Sequence, residues 1–428
     1  MSRFFYTLIF TLAMPLVLAR LYWRGRKAPA YRRRIAERLA IGLPTPIANG
    51  IWLHAVSVGE SIAAAPLVLA LQQRYPRLPI TITCMTPTGS ERIRALFGDS
   101  VHHCYLPYDL PWLARVFFNR IRPRLAIIME TELWPNFIRQ ASSRNIPVVL
   151  ANARLSERSA RGYGRLGALT APMFAELSAV AAQTAPEAER FVALGARPQA
   201  VQVTGSIKFD MYLDPALPAQ AQAQRQQWGA DKRPVWIAAS THPGEDEQVL
   251  RAHRQLLQDF PTGLLILVPR HPERFGPVYE LIQQQGLACA RRSTGAAVDA
   301  ACQVLLGDTM GELLFMYGLA DCAFVGGSLV ARGGHNLLEP AALGVPVLSG
   351  PHLFNFQDIA GQLSQGQALV QVSDALTLAA AVARLWQHPE QARAMVAGGQ
   401  QVLANNQGAV QRLLALLARQ LPDQPQAG

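Results

Sequence analysis

Short apolar runs alternate with longer helix-like stretches along this chain, and they do so in two series. The first series is Ile51–Val56, Ile80–Met85, Val101–Leu106, Leu125–Met129, Ile146–Ala151, Val180–Ala182 and Val201–Val203. The second is Val235–Ala239, Leu264–Val268, Leu287–Ala290, Val304–Leu306, Cys322–Val325, Val345–Leu348 and Ala368–Val372. Helical patterns separate most of them, as at Ser61–Arg74 and Pro111–Ile121. Continuous apolar strands divided by helices predict parallel sheets covered on both faces, so the fold class is α/β. The length of 428 residues also calls for two domains, because single cores seldom grow past about 250–300 residues.

The stretch Thr204–Asp210 closes the first series, and Asp214-Pro and Leu217-Pro mark a linker after it. The expected division is an N-terminal segment 1–25, a first Rossmann-like domain 26–210 and a second 211–428. No internal repeat is visible. Near the end, Val410, Leu413, Leu414, Leu417 and Leu421 recur at helical steps, so Pro389–Leu421 reads as helical. Pro422–Gly428 reads as disordered.

Phe4–Ala19 is uncharged over sixteen residues, close to the roughly 17–25 that a membrane-crossing helix needs. A basic cluster follows it: Arg20, Arg24, Arg26, Lys27, Arg32, Arg33, Arg34 and Arg38, opposed only by Glu37. A secretory signal carries its charge before the apolar segment and ends in a cleavage site, so this pattern reads as a membrane anchor. The positive-inside rule keeps the body of the protein cytoplasmic, and the basic cluster suits anionic lipid head groups. The net charge of +11 points the same way, to anionic partners. Nucleic acid is the least supported of these, since no basic run interleaved with aromatics appears. Cys84, Cys104, Cys289, Cys302 and Cys322 are scattered without a C-x-x-C pair, which fits a reducing compartment and offers no metal site.

Ligands of open α/β sheets bind beyond the carboxyl ends of the strands, so the chemistry is sought there. In the first half, Glu60 follows the first strand in HAVSVGE. At a helix start its carboxyl is expected to be ionised, as a general base requires. Ser57-x-x-Glu60 is also a capping box, and spacing alone favours the cap. Glu130 and Glu132 follow the fourth strand in METELWPN and share a face on an extended backbone. Tyr108, Asp109, Trp112 and Trp134 line either a pocket or a core. Arg154, Arg158, Arg161 and Arg165 either hold an anionic acceptor or face solvent, and Lys208 lies at the interdomain hinge.

In the second half the strands exit into AASTHPGE, VPRHPER and GDTMGE, then into Asp321–Pro351. This last stretch runs from a strand through Gly326-Gly327 and Gly333-Gly334 to a short helix at Asn336–Leu343. Its amides are expected to cradle a phosphate, and Glu339 to accept from ribose hydroxyls. Arg270 and the amides of Met310-Gly311 would add to that anion site. Thr309-x-x-Glu312 and Asn336-x-x-Glu339 also fit capping boxes.

Two such halves, with a glycine-rich loop leading to a ribose-reaching glutamate, resemble the GT-B glycosyltransferases, in which a cleft separates two Rossmann-like domains. The strings HAVSVGE, METELWPN, GSIKFD, VPRHPERF, DTMGEL and GGHNLLEPAALGVPVLSGP stand in this order. Together with the anchor they are similar to the 3-deoxy-D-manno-octulosonic acid (Kdo) transferases of Gram-negative bacteria, over nearly the whole chain. The resemblance implies transfer of Kdo from CMP-Kdo to the phosphorylated, tetraacylated disaccharide precursor of lipid A, at the cytoplasmic face of the inner membrane. It implies Glu60 as proton acceptor and transition-state contacts at Glu130 and Lys208. It places CMP contacts at Pro269, Arg270, Met310, Gly311, Glu312, Asn336, Leu337, Leu338 and Glu339. It also implies inversion without a metal or other cofactor, in keeping with the absence of a D-x-D motif. A GT-B enzyme using a UDP-sugar on another lipid, a non-catalytic nucleotide-binding module and a sugar-nucleotide epimerase are the alternatives.

Overall fold

A computed structural model describes residues 2–44, 49–211, 213–229 and 233–421, so the tail at 422–428 lies outside it. The chain forms two units, Met1–Asp210 with Asn406–Gly428, and Met211–Asn405. Each is built on a seven-stranded, all-parallel sheet. The first comprises β1 (Ile51–His54), β2 (Ile80–Cys84), β3 (His102–Tyr105), β4 (Leu125–Met129), β5 (Val148–Ala153), β6 (Ala179–Ala182) and β7 (Val201–Val203). The second comprises β8 (Val235–Thr241), β9 (Leu264–Pro269), β10 (Cys289–Arg291), β11 (Val304–Leu306), β12 (Cys322–Val325), β13 (Val347–Ser349) and β14 (Leu369–Gln371). All fourteen apolar runs are strands, each within two residues of its expected bounds.

The orders are β3-β2-β1-β4-β5-β6-β7 and β10-β11-β9-β8-β12-β13-β14. Chain order reverses between β1 and β4 in one sheet and between β8 and β12 in the other. Right-handed crossovers leave a crevice at such reversals, at the carboxyl edge. Two strands are irregular close to that edge. β5 shifts register against β6 between Leu150 and Ala153, and β8 shifts against β9 between Ala239 and Thr241. Asn152 (φ 52°) and Ser240 (φ 57°) occupy those breaks in left-handed conformations.

Both faces of the first sheet are packed. On one, Trp52 lies under the rings of Phe117, Phe118 and Phe137 at centroid separations of 5.0–5.8 Å. On the other, Leu53, Ile82, Ile127 and Val149 belong to one core with Leu413 and Leu417 of the C-terminal helix Ala409–Gln420. This corrects the expected boundaries, because the end of the chain belongs to the first unit. The helical stretch Pro389–Leu421 breaks at Gly408 (φ 85°). Asp210 fixes the return, its carboxylate accepting from the amides of Gly408 and Val410.

The N-terminal helix runs Arg3–Lys27, past the expected apolar segment, and is long and apolar enough to cross a membrane. The basic cluster after it divides. Arg34 grips Glu37 through two guanidinium nitrogens, and Arg38 is buried against the Tyr105 ring with its Nη2 donating to the Met85 carbonyl. These two are structural, not lipid-facing.

Candidate functional site

In the first unit, β1 and β4 flank the reversal, and the chain that leaves each carries a carboxylate. Glu60 sits in the first turn of helix Val58–Arg74, whose N-cap Ser57 accepts from the Glu60 amide. The Glu60 carboxylate accepts from the Val56 amide (2.8 Å) and the Ser57 hydroxyl (2.9 Å). The cap therefore exists, and it holds the carboxyl at the edge of the sheet. The helix start does not lower its pKa as expected. Burial outweighs those two hydrogen bonds, and with repulsion from Glu130 and Glu132 it pushes Glu60 up to about 7.

Glu130 ends β4 in a left-handed turn (φ 54°), a conformation that costs a non-glycine residue about 1–3 kcal/mol. The turn takes residues 130–131 off the strand, so the extended backbone on which Glu130 and Glu132 were expected to share a face is not there. Lys208 Nζ approaches Glu130 Oε1 at 3.2 Å, with both side chains about a quarter exposed. Burial, then Glu130, raises the Glu132 pKa. Sequence reasoning gave Asn152 no separate role, yet it places Lys208. Its buried amide oxygen accepts from the Ile207 amide (3.1 Å), next to the lysine, while its Nδ2 has no hydrogen-bond partner. The first unit thus assembles three carboxylates and one ammonium around its reversal.

Other first-half candidates are structural. Asp109 is buried and accepts from the amides of Asn136 and Phe137, and Tyr108 is buried as well. Trp112 is exposed, and Arg158, Arg161 and Arg165 lie on the solvent side of helix Glu157–Arg165.

In the second unit the loops after β8 and β12 meet at the reversal, and here a central expectation is overturned. The amides of Gly327 (2.7 Å), Ser328 (3.0 Å) and Leu329 (2.9 Å) all donate to the carboxylate of Glu245, as does that of His242 (2.9 Å). Glu245 is fully buried. The glycine-loop anion is thus an internal carboxylate, and those amides are taken. Leu338, whose amide is capped by Asn336 Oδ1 (3.1 Å), starts a helix of only five residues, shorter than Asn336–Leu343. Asn336 Nδ2 donates to Glu339 Oε1 (3.1 Å), which orients that carboxyl.

What lies at the reversal instead is a histidine cluster. His242 and His335 stack with planes 4° apart and Nε2 atoms 2.9 Å from each other, and His271 lies edge-on to His242 at 5.5 Å. One ring must donate to the other's lone pair, so they hold one proton between them. Burial first, then the neighbouring histidines and arginines, Arg270 among them, lowers His242 and His335 to about 4. The strings AASTHPGE and GGHNLLEP place these histidines on strand-exit loops, but a pairing 93 residues apart leaves no local trace.

Of the remaining positions, Pro269, Leu337 and Leu338 are buried, so any ligand reaches them through backbone. Met310 is exposed, and Gly311 is left-handed (φ 87°). Glu312 pairs with Arg292 (2.7 Å) and accepts from Thr309. The described residues contain no group of three or more His, Cys, Asp or Glu arranged to hold a metal ion.

Comparison with known proteins matches these features. The family model described as 3-Deoxy-D-manno-octulosonic-acid transferase (kdotransferase) matches residues 33–211. A 3-deoxy-D-manno-octulosonic acid transferase of Haemophilus influenzae is 49% identical over 97% of this chain and 98% of its own. One from Bordetella pertussis is 39% identical over 97% and 99%. Among solved structures, UDP-GlcNAc 2-epimerase from Neisseria meningitidis superposes with a TM-score of 0.57 at 15% identity, over 86% of this chain and 100% of its own. A glycosyltransferase from Rickettsia africae gives 0.56 at 12% identity, over 88% and 100%. Such distant likenesses establish the paired Rossmann-like architecture alone.

Proposed function

The chain belongs to the 3-deoxy-D-manno-octulosonic acid transferase family, and on that premise we propose that it moves Kdo from CMP-Kdo to the tetraacylated lipid A precursor. It is a glycosyltransferase of lipopolysaccharide biosynthesis. The observation that carries the mechanism is Glu60: a carboxyl held at the reversal of the first sheet with a pKa of about 7. A general base works best with a pKa near the working pH. Glu60 takes the proton of an acceptor hydroxyl as its oxygen bonds to the anomeric carbon of Kdo. The bond from that carbon to the CMP phosphate breaks on the opposite face, which inverts the configuration. The Lys208 ammonium, placed through Asn152, offsets the negative charge of the transition state.

CMP is assigned to Pro269, Arg270, Met310, Gly311, Glu312, Asn336, Leu337, Leu338 and Glu339 of the second unit. Phosphate charge there is met by Arg270 rather than by the glycine-loop amides, which Glu245 occupies. No metal enters this reading, so chelation by EDTA is expected to leave transfer unchanged. The protein works at the cytoplasmic face of the inner membrane, held there by its N-terminal helix and anionic lipids. Incubation with CMP-Kdo and the lipid A precursor is expected to give a product heavier by whole Kdo residues in the mass spectrum. The UDP-sugar alternative wins if UDP raises the protein's melting temperature and CMP does not.

A further inference from the structure

We infer that the N-terminal helix lies along the surface of an anionic bilayer, docked lengthwise on the first unit, and does not cross it. The inference rests on the membrane reading above and specifies its geometry. Partly buried residues recur along Arg3–Lys27 at Tyr6, Thr7, Phe10, Thr11, Met14, Val17, Leu18 and Leu21, one continuous helical stripe. The exposed ones, Phe5, Leu8, Ile9, Leu12 and Leu16, lie on the other flank, with Leu12 and Leu16 more than 70% exposed.

The inner stripe is anchored at both ends to the same unit. Near its start, the Tyr6 hydroxyl bonds the buried Asp109 carboxylate, and the Thr7 hydroxyl meets the Asn136 side chain at 3.2–3.3 Å. One turn on, Phe10 packs edge-on to Tyr108 at 6.4 Å. Further along, Met14, Val17 and Leu18 join the core of Trp52 and Phe137. Tyr6 and Leu18 are about 18 Å apart at about 1.5 Å per residue. A helix that crosses puts its two ends on opposite sides of a hydrocarbon layer about 30 Å thick, and needs about 20 residues facing lipid all round. One water-soluble unit cannot hold both ends of such a helix. The Asp109–Asn136 node would have to leave its partners or enter hydrocarbon, where unsatisfied polar groups are costly.

Lying flat meets both demands. The apolar flank enters the interface, and Arg20, Arg24 and Arg26, exposed in the last two turns, reach phosphate head groups. The helix contains no acidic residue, which commits the partner to an anionic lipid surface.

The test uses the full-length protein in cells with Cys289→Ser, since the other native thiols are buried. A cysteine at Ser2 and, separately, one at the exposed Arg158 are challenged with a membrane-impermeant maleimide in spheroplasts and in inverted vesicles. Both are expected to label only in inverted vesicles. Labelling of Ser2→Cys in spheroplasts, with Arg158→Cys protected there, overturns the inference and leaves membrane attachment intact. A second arm pellets purified protein with vesicles of phosphatidylethanolamine and phosphatidylglycerol. Leu12→Glu with Leu16→Glu, on the exposed flank, is expected to weaken binding at least tenfold without lowering the melting temperature. Unchanged binding of that variant overturns the inference. Failure of the unsubstituted protein to pellet overturns the membrane reading itself.

Discussion

At the scale of single residues, Glu60 serves two opposed demands. As a cap it accepts from Val56 and Ser57, which stabilises a carboxylate; as a buried group near Glu130 and Glu132 it is discouraged from ionising. Burial wins, and the pKa settles at about 7. The free enzyme's kcat/KM should therefore fall tenfold per pH unit below about 7, because the protonated acid cannot accept the hydroxyl proton. Stability carries the opposite sign. A carboxyl whose pKa is raised on folding stabilises the fold fully below its ordinary value of 4.5, and that contribution is lost as pH rises from there to about 7. At about 1.4 kcal/mol per pKa unit, its ionisation costs the fold on the order of 3 kcal/mol. Glu60→Gln keeps an oxygen for the Val56 amide and removes the charge. It should lose several orders of magnitude in kcat while melting higher than the parent at pH 8. A variant that melts lower there, or an activity profile flat from pH 5 to pH 8, would refute this account. The cap was legible from Ser57-x-x-Glu60. The raised pKa was not, because it depends first on burial in the folded unit and then on Glu130 and Glu132, some seventy residues away.

Elements were the most legible scale. Val, Ile, Leu and Ala runs bounded by glycine, proline and polar residues form strands wherever both faces are covered, and that covering is written in the runs themselves. Loops at the carboxyl edges were legible only as places. Gly326-Gly327 announces a tight turn, and a side chain at Gly327 (φ 67°) would be strained and crowded, since an added Cβ would meet the His335 ring at 3.0 Å. Whether such a turn's amides face a ligand or the protein depends on Glu245, more than eighty residues earlier. Its four amide donors make it the keystone of both loops at the reversal. Glu245→Gln keeps the shape but turns an NH2 toward amide N–H groups, leaving buried donors unsatisfied at about 1–3 kcal/mol each. The expected result is a loss of roughly 2–4 kcal/mol in urea unfolding. Faster hydrogen exchange at Gly327–Leu329 should accompany it, together with weaker CMP binding. Unchanged stability would mean that the carboxylate does not organise the loop.

For the whole molecule, the order of residues and the order of units differ. A helix that follows the second sheet is expected to pack on it, as the division 211–428 has it, and the helical period of Val410, Leu413, Leu414 and Leu417 says only that one face is buried. Which core buries it is decided by Asp210, whose carboxylate receives the start of that helix, and by the opening left beside helix Val58–Arg74 and β6. The first unit consequently needs both ends of the sequence. Val410, Leu413, Leu414, Leu416, Leu417 and Leu421 are buried in its core. At about 1.5–3 kcal/mol for each buried side chain, removing them forfeits on the order of 10 kcal/mol. A domain's entire stability is about 5–15 kcal/mol. A chain ending at Asn405 should therefore lose the cooperative calorimetric transition of its first unit while the second, Met211–Asn405, still melts as a unit and still binds CMP. Transfer of Kdo should vanish with the first transition although Glu60 and Lys208 are both present. If the shortened chain keeps two transitions and its activity, the first unit is complete without the returning helix, and the division of the chain falls at Asp210 alone.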